Sequence, residues 1–402
     1  MRVLVVHNRY RSAQPSGENM VVDDECRLLA ARGVDVSRFE VESDAILAWG
    51  RVKRATLPFR VVWSPHGARQ VATAIDSARP DVVHFHNTFP LLSAAALVAA
   101  RKRRVAVVQT LHNFRSLCPE GSFFREGAPC TKCLGRVPLP ALRHGCYRGS
   151  RVATAPLAVA DAVHGFLQTW QRSVDRFIVP SEFGRRMYAK AGWPEERLVV
   201  KYNTALDRGS GIGQAERRHF IALSRLSPEK GIDILVDAWR RVDGRTQIPL
   251  LIVGSGDSAE ELHRAGRGIP DVEFRPQVPY DEGLSLLAAA HAIVVPSRCF
   301  EMFPRVVAEA FSLAVPVVAA RIGSLEDIIQ PGRDGLLFER ASAAELADSL
   351  CELAASPALR ARLATGARLR YEADFSPEST TSRLLEIYES ARREAGTRGA
   401  VR

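Results

Sequence analysis

The stretch Ser297–Pro316, SRCFEMFPRVVAEAFSLAVP, holds two glutamates, Glu301 and Glu309, with seven residues between them. The apolar run Ala292-Ile293-Val294-Val295 just before it predicts a short buried parallel strand. Pro304 suits the first helical position, where a missing N–H costs nothing. Val306, Val307, Ala310 and Phe311 then recur with helical spacing, and Pro316 ends the run. Glu301 is therefore expected in the strand-to-helix loop, and Glu309 about 1.5 turns into the helix. The N–H groups of Arg305, Val306 and Val307 are expected to point out of the helix start, an end that attracts a phosphate. A carboxylate that accepts hydroxyl hydrogen bonds beside such an end fits a sugar attached to a diphosphate. Two glutamates so spaced also occur as solvated helix charges, so the surroundings decide.

The rest of the C-terminal half alternates strand and helix. Strands are expected at His219–Ser224, Pro249–Gly254, Val272–Arg275 and Val315–Ala319, with helices at Gly231–Val242, about 258–264 and Asp281–Ala289. Each strand is followed by a helix, which predicts a parallel doubly wound sheet. Arg225 and Lys230 flank the turn Ser227-Pro228-Glu229 at the end of the first of these strands, two cations suited to a diphosphate. Gly254, Ser255 and Gly256 let backbone approach a phosphate or ribose, though a bare turn looks the same. From Ser342 to Arg392 the pattern is helical with breaks at Pro357 and Pro377, and residues 393–402 are expected to be disordered.

The N-terminal half repeats the theme. The strand MRVLVVH leads through a polar loop into a helix from Gly17 to Arg32 expected to bury Met20, Val21, Leu28 and Leu29. Gly17 stands at that loop's end; it either leaves room for a ligand or merely fits the helix cap beside Ser16. Further strands are expected at Asp35–Val41, Pro80–Asn87, Val105–Thr110, Phe177–Pro180 and Leu198–Tyr202. His86 and His112 fall at the carboxyl ends of two of them, where ligands collect in open sheets. Arg151–Trp170 reads as an amphipathic helix whose Leu157, Val159, Val163, Phe166 and Leu167 face the core. Asn203–Gln214 has no periodicity and reads as an interdomain linker.

Between the fourth strand and that helix lies an insertion with Cys118, Cys130, Cys133 and Cys146, spaced C-x11-C-x2-C-x12-C. Four thiolates at this spacing suit a closed structural zinc site with no open position, and the segment has few apolar residues to hold it otherwise. The alternative is four reduced thiols on a mobile loop. The chain's net charge of +10 is uneven: residues 1–203 carry 30 Lys+Arg and 17 Asp+Glu, the remainder 25 and 28. Arg101-Lys102-Arg103-Arg104 is the densest point, read as a solvated helix end or as contact with an anionic membrane. Nucleic-acid motifs are absent from the sequence. No apolar run approaches the roughly 18 residues of a membrane span, and no signal peptide is evident, so a cytoplasmic protein is expected.

Residues 297–316, with SRLSPEKG at 224–231 and VGSGD at 253–257, resemble the family 4 retaining glycosyltransferases. The resemblance runs from the first strand to the helix after Gly335. It departs at Met302, where the family usually has Gly, and at Pro304, which replaces a second Gly; both bear on the donor-sugar pocket. It implies a GT-B fold: two doubly wound, Rossmann-like domains facing a cleft, with a C-terminal helix crossing back to the first. The expected limits are 1–203 for the acceptor-side domain with its insertion at 118–146, 204–375 for the nucleotide-sugar domain, and 376–402 for the crossover helix and tail.

The resemblance further assigns Arg225 and Lys230 to the diphosphate, Glu309 to the ribose hydroxyls and Glu301 to the donor sugar. The backbone at Gln277 and Val278 takes the base, and Phe303, Arg305 and Val306 belong to the donor site with Gly254, Ser255 and Gly256. His112, in Thr110-Leu111-His112-Asn113, is placed near the reacting carbon, and Gly17 across from the donor phosphates. The donor is a nucleotide diphosphate sugar of UDP or GDP type. The acceptor is a hydroxyl on a glycan, lipid-linked molecule or natural product, with peripheral membrane contact through the basic half. With no Asp-x-Asp anywhere, no catalytic metal is expected. A sugar-nucleotide epimerase of the same fold and a non-catalytic scaffold are the alternatives.

Overall fold

The computed structural model describes residues 1–10, 12, 16–209, 217–242 and 244–400. Its internal contacts divide the chain into two units. One comprises Met1–Phe123, Thr131–Tyr202 and Thr380–Arg402, the other Phe124–Cys130 and Asn203–Ser379.

In the first unit, strands β1 (Arg2–Arg9), β2 (Asp35–Glu42), β3 (Val82–Phe85) and β4 (Ala106–Thr110) precede a two-stranded hairpin, β5 (Phe124–Arg125) and β6 (Ala128–Pro129), which is counted with the other unit. Strands β7 (Arg176–Val179) and β8 (Leu198–Val200) complete a six-stranded parallel sheet in the order β2-β1-β3-β4-β7-β8. The order reverses between β1 and β3, the position where an open parallel sheet leaves a crevice at its carboxyl edge. The second unit holds β9 (His219–Leu223), β10 (Leu250–Val253), β11 (Val272–Arg275), β12 (Ala290–Val295), β13 (Val317–Ala320) and β14 (Gly335–Phe338). These are again all parallel, in the order β11-β10-β9-β12-β13-β14, reversing between β9 and β12. Two parallel-sheet α/β units of this kind are the GT-B architecture. Strand β14 was not expected. Gly335 permits it: a Cβ there would lie 2.4 Å from the Val317 carbonyl oxygen of the neighbouring strand.

The last helix, Pro377–Ala400, crosses into the first unit. Leu384, Ile387, Tyr388 and Ala391 recur at three- and four-residue spacing and join Val3, Val5, Val82, Val108 and Ile178 in one buried cluster. Tyr388 Oη lies 2.8 Å from His84 Nδ1, and Arg176 pairs with Glu394. This corrects the expectation of disorder from residue 393: the helix continues to Ala400. Polar composition suggested a free tail, but one apolar stripe anchors the helix. Residues 401 and 402 lie outside the described residues, as do positions 210–214 of the expected linker; residues 201–209 form no regular element.

A second correction concerns the helix Arg151–Leu167. It turns Thr154, Leu157, Ala158, Ala160 and His164 inward, while Val159, Val163, Phe166 and Leu167 face water, Phe166 at 88% exposure. Thr154, Ala158 and Ala160 in the buried stripe are small and let the helix pack closely, while most of the larger apolar side chains are left outside. A Gln168 in the left-handed conformation (φ 52°) ends this helix before Trp170, and a new one runs from Thr169 to Ser173. Residues 43–78, unassigned by sequence, are largely helical, including Arg51–Ala55, Leu57–Val62 and Pro65–Ala78.

Candidate active site

In the second unit the reversal between β9 and β12 brings together two loops distant in sequence. The loop after β9 carries Arg225 and Lys230, and the loop after β12 carries Ser297 and Glu301. Lys230 Nζ lies 3.0 Å from Glu301 Oε2, and the Ser297 hydroxyl donates to the other carboxylate oxygen. Burial pushes the Glu301 carboxyl up, but Lys230 and Ser297 outweigh it and hold the group below the usual carboxylate range. Burial likewise depresses Lys230, and Glu301 more than restores it, leaving it raised. The result is a charged, shielded carboxylate with an ammonium against it. Arg225 is exposed, with Nη2 3.3 Å from Glu229.

Glu309 is buried, in the helix Arg305–Ser312. Its Oε1 accepts from Tyr280 Oη at 2.9 Å and lies 3.2 Å from Arg305 Nη2. Pro304 is the cap of this helix and not its first residue, and the Val307 N–H donates to the Pro304 carbonyl at 3.0 Å. The expected outward N–H of Val307 is thus consumed by a tight first turn. Met302 and Phe303 are buried, Phe303 against Phe375 with ring centroids 5.7 Å apart.

Gly254 and Gly256 sit where their own chain needs them. A Cβ would meet the Ser224 carbonyl oxygen at 1.9 Å and the Leu226 carbonyl oxygen at 2.4 Å. Ser255 Oγ accepts the Gln277 N–H at 3.2 Å, tying the loop after β10 to Gln277 and Val278 beyond β11.

The first unit gathers polar side chains at the β1–β3 reversal. Asn8 N–H donates to the Asn87 carbonyl and the Asn87 amide to the Asn8 carbonyl, each at 2.8 Å. His86 and His112 are stacked, with Nδ1 of one 2.8 Å from Nε2 of the other. Burial drives both rings well below the usual imidazole range, and neighbouring positive groups add to it. Lys201 Nζ sits 2.5 Å from Glu25 Oε1, and Glu25 Oε2 lies 3.6 Å from His86 Nε2. Gly17 opens the first helix beside the Ser16 cap.

Glu25, His84 and His86 place ligand-type atoms within 4.8 Å of one another. Lys201 occupies the Glu25 carboxylate, and both His84 nitrogens already face hydroxyls, Tyr388 and Thr110 at 2.8 and 2.7 Å. This cluster is a hydrogen-bond network, not a metal centre. Among the described residues no three of the insertion's thiols lie within 4.8 Å of one another, and no disulfide joins any of the seven cysteines. Cys118 and Cys133 are buried in the first unit, whereas Cys130 is counted with the second.

Glu25, Lys201 and Tyr280 were missed by sequence reasoning. For Glu25 a signal existed: it sits among Val21, Val22, Cys26 and Leu29 on the buried face of its helix. For Lys201 and Tyr280 none did.

Residues 15–204 match the family model described as Glycosyltransferase Family 4, and residues 217–356 match that described as Glycosyl transferases group 1. The chain belongs to the family 4 glycosyltransferases and is an enzyme of that class. A D-inositol 3-phosphate glycosyltransferase of Acidothermus cellulolyticus is 27% identical over 428 residues, spanning 96% of this chain and 88% of that protein. A GDP-mannose-dependent monoacylated alpha-(1-6)-phosphatidylinositol monomannoside mannosyltransferase of Corynebacterium glutamicum is 33% identical over 175 residues, 42% of this chain and 46% of that protein. Among solved structures, Anabaena HepE in complex with UDP shares the fold with a TM-score of 0.67 at 21% identity, over 97% of this chain and 100% of that one.

The stacked pair gives a direct check. In protein carrying ring-labelled histidine, the His86 and His112 carbons keep neutral-imidazole shifts as pH falls from about 7.5 to about 5.5, because burial opposes the charge. Titration of either ring near its ordinary midpoint of about 6.5 would refute the buried geometry.

Proposed function

We propose that this chain moves a sugar from a nucleotide diphosphate donor to an acceptor hydroxyl with retention of anomeric configuration and without a divalent metal in the chemistry. The observation that supports it most is the Lys230–Glu301 pair at the β9–β12 reversal, with Arg225 on the same loop as Lys230. Arg225 and Lys230 take the diphosphate and supply the positive charge that the leaving group needs. Glu301 accepts hydrogen bonds from sugar hydroxyls, Glu309 from the ribose, and Gln277–Val278 meet the base. The backbone of Phe303, Arg305 and Val306, with Gly254, Ser255 and Gly256, completes the donor site. The bond from the anomeric carbon to the phosphate oxygen breaks, the acceptor oxygen bonds to that carbon on the same face, and the acceptor proton passes to the leaving phosphate. His112 is assigned near the reacting carbon on the resemblance of Thr110–Asn113, and no side-chain base is assigned. The relative named for GDP-mannose and the UDP complex of HepE support a donor of GDP or UDP type.

The acceptor in this reading is carried by lipid, as the Corynebacterium relative's name indicates for that protein. No helix among the described residues is long and apolar enough to cross a membrane. The contact proposed is peripheral, at the cytoplasmic face. The Arg101–Arg104 run is a poor candidate for it. Arg101 pairs with buried Asp175 at 3.2 Å and Arg103 with Asp76 at 2.7 Å. A better one is the surface of Arg51–Val62 and Arg151–Leu167, joined where His164 Nε2 meets the Val62 carbonyl at 2.8 Å. It exposes Val52 (85%), Phe59 (76%) and Phe166 (88%) beside Arg51, Lys53, Arg54 and Arg60, and no acidic residue occurs between Asp44 and Asp76. Four thiolates from Cys118, Cys130, Cys133 and Cys146 remain a proposal for structural zinc in the insertion.

Glu301→Gln lowers turnover with a modest loss of nucleotide affinity, and Glu309→Ala chiefly weakens nucleotide binding, each by about tenfold or more. Release of nucleotide that depends on added acceptor is the activity to follow, and wild-type values in both variants would sink the assignment. Transfer survives EDTA over minutes, while elemental analysis of protein prepared without chelator finds about one zinc per chain; finding none ends the zinc proposal. Each exposed cation contributes about 1 kcal/mol toward an anionic surface. Sedimentation with anionic vesicles is therefore expected at low salt, weaker at high salt, and reduced in a Phe59→Ser, Phe166→Ser double variant. Indifference to lipid charge and to both substitutions would return this face to ordinary surface.

A further inference from the structure

A cavity of about 100 Å³ lies wholly within the first unit, lined among others by Glu18, Gln109, His112, Arg115 and Asp161. That is room for several waters, enough for the hydroxyl-bearing edge of a ring. Three of the residues lining it each hold a buried polar atom without a hydrogen-bond partner: Gln109 Oε1, Asp161 Oδ2 and Arg115 Nε. Gln109 is itself 6% exposed. Orphaned buried polar atoms are costly and rare, and three around one cavity are an unfilled demand for a ligand.

The chemistry of that ligand follows from the set. Gln109 Oε1 can only accept and Arg115 Nε only donate, while the Asp161 carboxyl accepts or, once protonated, donates. A hydroxyl does both, whereas a phosphate dianion has nothing to donate to Gln109. The charge inventory points the same way. Arg115 is the cation of the lining, its Nη1 is already on the Pro119 carbonyl at 3.1 Å, and its guanidinium stacks over Phe89 at 4.5 Å. His112 and His86 are held neutral by burial. Desolvation pushes Glu18 up to about 7 and Asp161 well above the carboxylate range, despite the attraction of Arg115. A cavity that resists its own two negative charges is a poor host for a third.

We propose that this cavity receives the reacting end of the acceptor, and that this end is an uncharged polyhydroxyl group, a sugar or cyclitol edge bearing no phosphate, whose hydroxyls pair with Gln109, Asp161 and Arg115. This rests on the transferase reading for the word acceptor, but the binding chemistry stands on the cavity. It also separates this chain from the relative whose name carries D-inositol 3-phosphate, a phosphorylated cyclitol.

The test uses the full chain, saturation-transfer NMR, and three probes: methyl α-D-glucopyranoside, myo-inositol and myo-inositol 1-phosphate. UDP binding is read separately by calorimetry. The neutral probes bind at least as well as the phosphorylated one, and Asp161→Leu weakens them about tenfold or more while leaving UDP binding unchanged. The same substitution raises the thermal midpoint, because it removes an unpartnered buried carboxyl without opening a void, which shows the variant is folded. Tighter binding of the phosphorylated probe, absence of transfer to both neutral probes, or neutral binding unaltered by Asp161→Leu would overturn the proposal. Polyol binding without UDP binding would strike the transferase reading and support the cavity's.

Discussion

Two strands that are neighbours in a sheet but separated by two others in sequence, β9 and β12, set the geometry around Lys230 and Glu301. Their connections leave on opposite faces, so no helix closes the carboxyl edge between them. The two loops that emerge there can touch only because Gly231 has no side chain. It adopts φ +68°, and a Cβ would stand 2.1 Å from the Pro296 carbonyl oxygen. That backbone contact fixes Lys230, one residue away, within 3.0 Å of Glu301. The ion pair thus depends on a close approach of main chains.

The first unit solves a different problem. Its β1–β3 edge is filled with polar groups shielded from water, at a desolvation cost that only mutual pairing offsets. Lys201 and Glu25 pair at 2.5 Å, and burial keeps the imidazoles of His84, His86 and His112 neutral while they share hydrogen bonds. The last helix takes part directly, through Tyr388 on His84. A chain segment from the far end of the sequence therefore completes a polar core as well as an apolar one. Such a network holds one arrangement of rings, which is what positioning a small group at a strand end requires.

The surface illustrates how local composition misleads. The densest run of arginines looks like a free basic patch, yet two of its four members are paired with Asp175 and Asp76. The more unusual surface combines fewer cations with large apolar side chains, and it lies on a helix whose periodicity suggested a buried face. Thr154, Ala158 and Ala160 allow close packing, and close packing won over bulk.

By itself the sequence determined the alternation of strand and helix, hence two parallel sheets, because buried parallel strands are continuous apolar runs that need a crossover each. It also singled out Arg225, Lys230, Glu301, Glu309 and His112, since strand ends and helix starts are legible from local pattern. What needed the tertiary structure was everything set by contacts distant in sequence. Lys201 against Glu25, Tyr280 against Glu309 and Asp161 in its cavity carry no local signature, because the environment that gives each its role is built by other segments. The same holds for Val307, whose N–H a tight first turn consumed, and for residues 393–400, whose helix is anchored by strands at the opposite end of the chain. Local physics chose the elements; only the fold decided which polar groups would meet and which would be left without water.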